Sequence, residues 1–167
     1  MGLTIRFAVA DDAATIFRFI SELAEYERAP DAVETTPDIL HEQLSRENPP
    51  FECLIAEADG KAVGFALFFH NYSTWRGCQG IYLEDLFVPP RYRGNGVGRV
   101  LLQTLASIAT RRDCARMEWA VLDWNEPAFA FYERIGAVRL DDWVLCRLTG
   151  RALQELAASV DGGGIEN

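Results

Sequence analysis

The feature that most constrains this chain is a glycine-rich turn between an apolar strand and an amphipathic helix, PRYRGNGVGRVLLQTLA at residues 90–106. Glycines at positions 94, 96 and 98 allow a backbone with φ > 0 and the close approach of a ligand. The helix that follows directs unpaired N–H groups and its positive dipole end toward the turn. The segment therefore predicts a strand–turn–helix unit that can bind an anion such as a phosphate.

The spacing of these glycines excludes two familiar phosphate motifs. A P-loop requires GxxxxGK[ST], and no such Lys-Ser or Lys-Thr pair follows the glycines. A dinucleotide-binding turn requires GxGxxG, and counting from Gly94 the third glycine position holds Arg99. Two interpretations remain, an anion-binding turn of unassigned purpose and a turn with a purely structural role.

Apolar periodicity along the chain predicts a mixed α/β domain. Seven segments have strand patterns, of which two, VRL and WVLCRL, lie near the C-terminus. Asp59-Gly60 indicates a hairpin, Thr36 and Asn125 are expected helix caps, and Gly136 is an expected helix stop. No linker or repeat divides the chain, so we expect one domain over 1–160 and a disordered tail over 161–167.

Composition narrows the classes of function. The 167 residues are 49% hydrophobic and 25% charged, which is typical of a globular protein, and the net charge of −9 disfavours nucleic-acid binding. No run approaches the roughly 18 apolar residues of a membrane span, and the N-terminus lacks a secretory pattern, so a cytoplasmic location is expected. Four scattered cysteines and two isolated histidines indicate buried free thiols and no metal site.

Two segments taken together carry a family resemblance. LEDLFVPPRYRGNGVGRVLLQTL, followed by WAVLDWNEPAFAFYERIGA, resembles the GNAT superfamily of acyl-CoA-dependent N-acetyltransferases. Within it the chain is most similar to the spermidine/spermine N-acetyltransferase-like group, with further matches at LAEYE and YLED, and HNYSTWRGCQG is nearer to the thialysine-acetylating branch. The resemblance covers residues 5 to about 156. It implies a seven-stranded mixed sheet, splayed between strands 4 and 5, with helices on both faces.

The same resemblance implies acetyl-CoA as co-substrate. The amides of Gly94–Arg99 would bind its pyrophosphate, and backbone N–H groups of Leu86–Val88 would polarise the acetyl oxygen. Asn125 has a local alternative, since it is also a sound helix cap. The implied cofactor-binding residues are Leu86, Phe87, Val88, Arg93, Gly94, Asn95, Gly96, Val97, Gly98, Arg99, Asn125, Glu126, Pro127 and Ala128.

Two carboxylates and one phenol are the candidate catalytic groups. Glu84 and Asp85 interrupt an apolar strand, where adjacent side chains point to opposite faces and an unpaired buried carboxylate is costly. Each can be a salt-bridged structural carboxylate or a group that attracts an amine and takes its proton, and the resemblance implies the second role for Glu84, directly or through water. Tyr132 can be a core aromatic, but the resemblance implies that it is the general acid for the leaving thiolate.

The expected reaction is direct acetylation of a primary amine of a small molecule, such as a polyamine, a diamine or a thialysine-like amino acid. No covalent acetyl-enzyme is expected, because no cysteine lies beside a motif histidine. The alternatives are a protein or peptide N-acetyltransferase and a non-catalytic acyl-CoA-binding module, and the resemblance further implies a homodimer. The expected substrate-binding residues are Tyr26, Glu27, Glu84, Asp85, Glu118, Trp119 and Ala120.

Overall fold

The computed structural model describes residues 2–159, which form five strands and five helices. The expected tail 161–167 lies outside these residues. The strands are β1 (Leu3–Phe7), β2 (Glu52–Ala58), β3 (Lys61–Ser73), β4 (Cys78–Phe87) and β5 (Met117–Glu118). The helices are α1 (Ala13–Tyr26), α2 (Pro37–Leu44), α3 (Val97–Arg111), α4 (Glu126–Arg134) and α5 (Gly150–Ala158).

The strands form one mixed sheet in the order β1-β2-β3-β4-β5. The first four pair in antiparallel fashion, and β4 pairs with β5 in parallel. The hairpin between β2 and β3 turns at Asp59 and Gly60, with φ of 50° and 73°, as the tight two-residue turn requires. The predicted mixed α/β class is therefore confirmed.

Helices cover both faces of the sheet. Ile16 and Phe19 of α1 lie in one buried cluster with Phe65 and Leu67 of β3, and the rings of Phe19 and Phe65 stack with centroids 5.3 Å apart. Gly64 of β3 faces the other side of the sheet, because a Cβ added there would lie 3.2 Å from Val97 Cγ1 of α3. The alternation of β3 thus separates the face covered by α1, called the α1 face below, from the face covered by α3.

The strand count differs from the seven expected. Within residues 2–159 no residue after Glu118 is paired in the sheet, and the segments VRL and WVLCRL are irregular. Their apolar alternation predicted strands, but alternation only selects which side chains lie on one face; a strand also needs a neighbouring backbone to accept and donate its hydrogen bonds. Val144 and Trp143 of these segments are 84% and 72% exposed.

Internal contacts divide the chain into two compact units, Met1–Ala120 and Val121–Asn167. The first unit contains the whole sheet with α1, α2 and α3, and the second contains α4 and α5. The single domain over 1–160 stays a prediction.

Candidate active site

The glycine turn leads directly into α3 and is open above its backbone. Gly94 and Gly96 have φ of 79° and 80°, and a Cβ built on either would meet no atom within 4 Å. The first backbone hydrogen bond of the helix runs from Val100 N to Gly96 O at 3.0 Å. The N–H groups of Gly98 and Arg99 therefore have no backbone acceptor within residues 2–159. This is the geometry of an anion site at a helix N-terminus.

Side chains next to the glycines hold the turn in place. Arg93 Nε donates to Val88 O at 2.8 Å, and its guanidinium lies 4.5 Å from the ring centroid of Tyr26. Asn95 Nδ2 donates to Tyr92 O at 3.3 Å. Arg93 and Asn95 were both expected to bind the cofactor, and the structure shows that each also shapes the turn itself.

The end of β4 approaches α3 closely because residue 64 on the neighbouring strand is a glycine. A Cβ at Gly64 would lie 3.0 Å from Phe87 O and 3.1 Å from Val88 Cγ2. These contacts are tighter than most contacts of packed side chains, so a larger residue would require β4 to shift by a few tenths of an ångström. Gly64 thus places Leu86–Val88, the predicted donors to the acetyl oxygen, beside the beginning of α3.

A β-bulge in β4 separates the two candidate carboxylates. Leu83 is opposite Phe68 and Asp85 is opposite Leu67, so Glu84 is the extra residue and has no partner on β3. The bulge reverses the alternation, since Leu83 and Asp85 face opposite sides although they are two residues apart. Glu84 is exposed, and Asp85 points to the α1 face together with Leu67. The sheet thus presents the two adjacent carboxylates in different environments.

Asp85 is a desolvated carboxylate within a group of like charges. Burial, followed by the negative charges of Glu84 and Glu27, raises the pKa of Asp85 from its ordinary 3.8 to about 7. Asp85 forms no hydrogen bond or ion pair with another residue of the described chain. Glu27 caps the C-terminal end of α1, where partial desolvation of its carboxyl raises its pKa also. The structure therefore brings Glu27, Glu84 and Asp85 together, as expected, and adjacent Tyr26 contacts Arg93.

The β4–β5 ladder has only two pairs and ends at Tyr82 and Glu118, whereas β4 continues to Phe87. The ladder thus stops in the region where the resemblance implied a splay. The Glu118 carboxylate is engaged: its Oε2 accepts from Asn71 Nδ2 at 2.8 Å and lies 2.9 Å from Arg116 Nε. Trp119 is half-buried and Ala120 is exposed.

Sequence reasoning missed Asn71, Arg116 and Gly80, which surround Glu118. A signal was present in Gly80, because an isolated glycine within an apolar strand often marks a close approach of other atoms. A Cβ at Gly80 would lie 2.6 Å from Asn71 Oδ1 and 3.3 Å from Arg116 Cγ, so only glycine admits both side chains.

The remaining candidates lie on α4 in the second unit. Asn125 Oδ1 accepts from Ala128 N at 3.4 Å, so Asn125 is the helix cap, with Glu126 and Pro127 in the first turn. Gly136, with φ of 89°, ends the helix, and Ala137 N donates to Tyr132 O at 3.1 Å. The Tyr132 ring packs against Phe131 with centroids 5.3 Å apart.

Cysteine placement agrees only in part with expectation. All four cysteines are free thiols; Cys53 is buried, Cys78 and Cys114 are half-buried, and Cys146 is exposed. Cys146 belongs to one of the two segments that do not join the sheet, which explains its exposure. Among residues 2–159 there is no group of three or more His, Cys, Asp or Glu placed to hold a metal. Within the same residues, every helix is too short or too polar to cross a membrane.

Comparison with known proteins gives consistent matches over most of the chain. The family model described as "Acetyltransferase (GNAT) family" matches residues 16–137. Thialysine N-epsilon-acetyltransferase of Sus scrofa is 41% identical over 167 residues, covering 93% of this chain and 98% of the relative. L-ornithine N5-acetyltransferase of Arabidopsis thaliana is 46% identical over 115 residues, covering 68% of this chain and 50% of the relative. An integron cassette protein from the mobile metagenome of V. cholerae has a TM-score of 0.80 at 28% identity, covering 95% of this chain and 99% of that one.

Proposed function

Because this chain belongs to the acetyltransferase (GNAT) family and is an N-acetyltransferase, we propose that it acetylates the primary amine of a small molecule by direct attack on acetyl-CoA. The observation that carries the proposal is the pairing of two features in one unit: an open helix N-terminus and a desolvated carboxylate group at the β4 bulge. The first suits an anionic donor, and the second suits a cationic acceptor.

The glycine turn has the properties needed to hold the donor. Its amides are free to bind phosphate oxygens, and the space above Gly94 and Gly96 admits a ligand against the backbone. The contacts proposed within the first unit are the amides of Gly94–Arg99 and the backbone of Leu86–Val88. The role that the family resemblance implies for Asn125–Ala128 stays a prediction. When bound, acetyl-CoA supplies an acetyl thioester, whose oxygen the N–H groups of Leu86–Val88 polarise.

The carboxylates at the bulge attract the acceptor and take its proton. A primary amine is a cation near neutral pH and attacks only after losing a proton. Asp85 suits this step because a carboxylate with a pKa of about 7 holds a proton far better than an ordinary aspartate. Glu84, the base implied by the family resemblance, is exposed and suits the attraction of the amine or a transfer through water. Glu27 adds a third negative charge to the same place.

Tyr132 is the proposed general acid. Free tyrosine phenols have a pKa of about 10, so a tyrosine side chain can keep a proton at neutral pH for the departing sulfur, whose conjugate thiol is somewhat more acidic. The turn at Gly136 fixes the end of the helix that carries it.

The acceptor is a polyamine, a diamine or a thialysine-like amino acid. Two relatives support the amino-acid class, since their names specify thialysine and L-ornithine, both of which carry a side-chain amine. The charge of −9 favours a cationic acceptor over an anionic one.

The test is free-thiol release from acetyl-CoA with a panel of thialysine, lysine, ornithine, putrescine, spermidine and lysine-containing peptides. We expect turnover with at least one small amine and much slower turnover with every peptide. Turnover with peptides only would show a protein acetyltransferase, and binding of acetyl-CoA without turnover would show a non-catalytic module.

In the same assay Tyr132→Phe should lower kcat by at least about 100-fold if chemistry is rate-limiting. Unchanged turnover would remove its assigned role.

We also propose a cytoplasmic homodimer. The free thiols fit a reducing compartment, and Trp143, Val144 and Leu145 in the second unit expose apolar surface that a second copy can cover. Light scattering that gives the mass of a single chain across the working concentration range would contradict the dimer.

A further inference from the structure

A polar cluster on the α1 face lies next to the proposed amine site along β4. Its members are Asn71 and Ser73 of β3, Arg116 before β5, and Glu118 of β5. Asn71 is opposite Gly80, and Glu118 is paired with Tyr82. Residues 80 and 82 of β4 share one face, and the bulge returns Asp85 to that face. Along this face Arg116 lies over Gly80, Glu118 lies beside Tyr82, and Asp85 follows.

The guanidinium of Arg116 is held in place while part of it stays free. Arg116 Nη1 donates to Ser73 Oγ at 3.0 Å, and Nε lies 2.9 Å from Glu118 Oε2. The Arg116 side chain is 39% exposed, and within the described chain Nη2 has no acceptor. An arginine oriented on one edge and open on the other is suited to bind a carboxylate with two hydrogen bonds.

The hydrogen bond between Asn71 and Glu118 leaves another polar atom of Asn71 unpaired. Asn71 Oδ1 is buried without a hydrogen-bond partner in the described chain, because the amide turns its Nδ2 toward Glu118. A buried amide oxygen left unpaired is costly. Gly80 is needed as well, because any side chain there would displace Asn71 or Arg116. Asn71 is therefore a positioning residue for Glu118.

The spacing fits one kind of acceptor. On β3 the residues opposite Tyr82 and Asp85 are Phe69 and Leu67, two residues apart, so the two positions are separated by about 7 Å. Glu118 lies on the neighbouring strand β5, about 5 Å from Tyr82 across the sheet. A basic amino acid places its ω-nitrogen about 6 Å from its α-carbon when extended. The paired rings of Phe69 and Tyr82, with centroids 5.2 Å apart, lie along β4 between the Arg116 position at Gly80 and Asp85 and can support the aliphatic stem.

We propose that Arg116 is the specificity-determining residue that binds the α-carboxylate of an amino-acid acceptor, while Glu118 binds its α-ammonium and the ω-amine lies at Asp85. This inference rests on the proposed function and narrows its acceptor to α-amino acids with a terminal amine. Diamines and polyamines lack the carboxylate and leave Arg116 without a ligand.

The test uses acceptor pairs that differ only by the carboxylate: lysine and cadaverine, ornithine and putrescine, and thialysine and its decarboxylated diamine. Wild-type protein should prefer the amino acid in at least one pair. Arg116→Gln should lower kcat/KM for that amino acid by about 10- to 100-fold, mainly through KM, and change it for the diamine by less than about threefold. Arg116→Lys, which keeps the charge, should restore part of the loss. Arg46→Gln, which removes an exposed ion-paired arginine of the α2 C-terminal turn, is the matched control and should change neither value.

Activity of the Arg116 variants with the diamine reports that the fold and the donor site are intact. A wild-type preference for diamines, or an equal loss for both members of a pair, would overturn the assignment of Arg116 and leave the proposed function standing. Failure of the wild type to acetylate either member of any pair would overturn the proposed function and this inference with it.

Discussion

At the scale of single residues, Asp85 is a desolvated carboxylate whose ionisation lowers the stability of the fold. Nothing in the described chain neutralises this carboxylate, and its neighbours Glu27 and Glu84 add to its penalty. Desolvated carboxylates beside other negative charges are most often found at functional sites. The missing counter-charge is one that a cationic amine supplies on binding, and the bound cation stabilises the ionised form of Asp85, which is the form able to accept a proton.

This penalty gives a stability prediction. The pKa of Asp85 is raised on folding, so as the pH rises the unfolded chain loses this proton before the folded protein does. The free energy of unfolding therefore falls between about pH 4 and pH 7, and the loss stays constant above that range. We expect Asp85→Asn to be more stable than wild type at pH 8, by up to roughly 3–4 kcal/mol, and equal to it at pH 4. Thermal unfolding of both proteins at the two pH values checks this. A variant less stable than wild type at pH 8 would show that Asp85 stabilises the fold instead.

At the scale of elements, the beginning of α3 combines a turn that needs positive φ with a backbone surface that no other residue covers. Gly96 is the residue before the helix and has φ of 80°, a conformation that costs any other residue about 1 kcal/mol. Because the space above it is free, an added methyl group would contact no other residue of the free protein, and its cost would be the backbone conformation alone. A bound phosphate, in contrast, would meet this methyl group directly.

Gly96→Ala should therefore raise KM for acetyl-CoA by at least about 10-fold while lowering the free energy of unfolding by about 1 kcal/mol. Gly60→Ala is the matched control, because Gly60 has φ of 73° in the β2–β3 turn and equally open surroundings. It should show the same loss of stability in chemical denaturation and no change in KM. Equal KM values for the two variants would place the donor elsewhere.

Elements whose pattern is local were predictable from the sequence. Pro37 in the first turn of α2, the turn at Asp59-Gly60 and the end of α4 at Gly136 depend on neighbours within a few residues. The bulge at Glu84 was not predictable from the strand's own residues, because it is a mismatch between β4 and β3 that appears only in their register. The same holds for Arg116, whose role depends on residues 73 and 80 in other strands.

At the scale of the whole molecule, one strand of the first unit, β4, connects the proposed donor site with the proposed acceptor site. The end of β4 leads into the glycine turn, and its bulge displays Glu84 and Asp85 a few residues earlier. The glycine-rich segment alone predicted an anion-binding or purely structural turn, and the family resemblance was needed to imply acetyl-CoA as the donor. On the acceptor side the family resemblance named Glu27, Glu84 and Asp85, and the fold explains how residues distant in sequence, at the C-terminal end of α1 and on β4, lie close together.

The central claim, that the carboxylates at the β4 bulge bind and deprotonate the acceptor amine, is tested most directly by the pH profile of kcat/KM for the best small amine. We expect the wild-type profile to rise through a limb near pH 7, which Asp85→Asn removes together with at least about 100-fold in rate. Glu25→Gln, an exposed carboxylate on the same helix as Glu27, should leave the profile unchanged. An Asp85→Asn variant that keeps both the rate and the limb, with Glu84→Gln and Glu27→Gln equally silent, would contradict the claim.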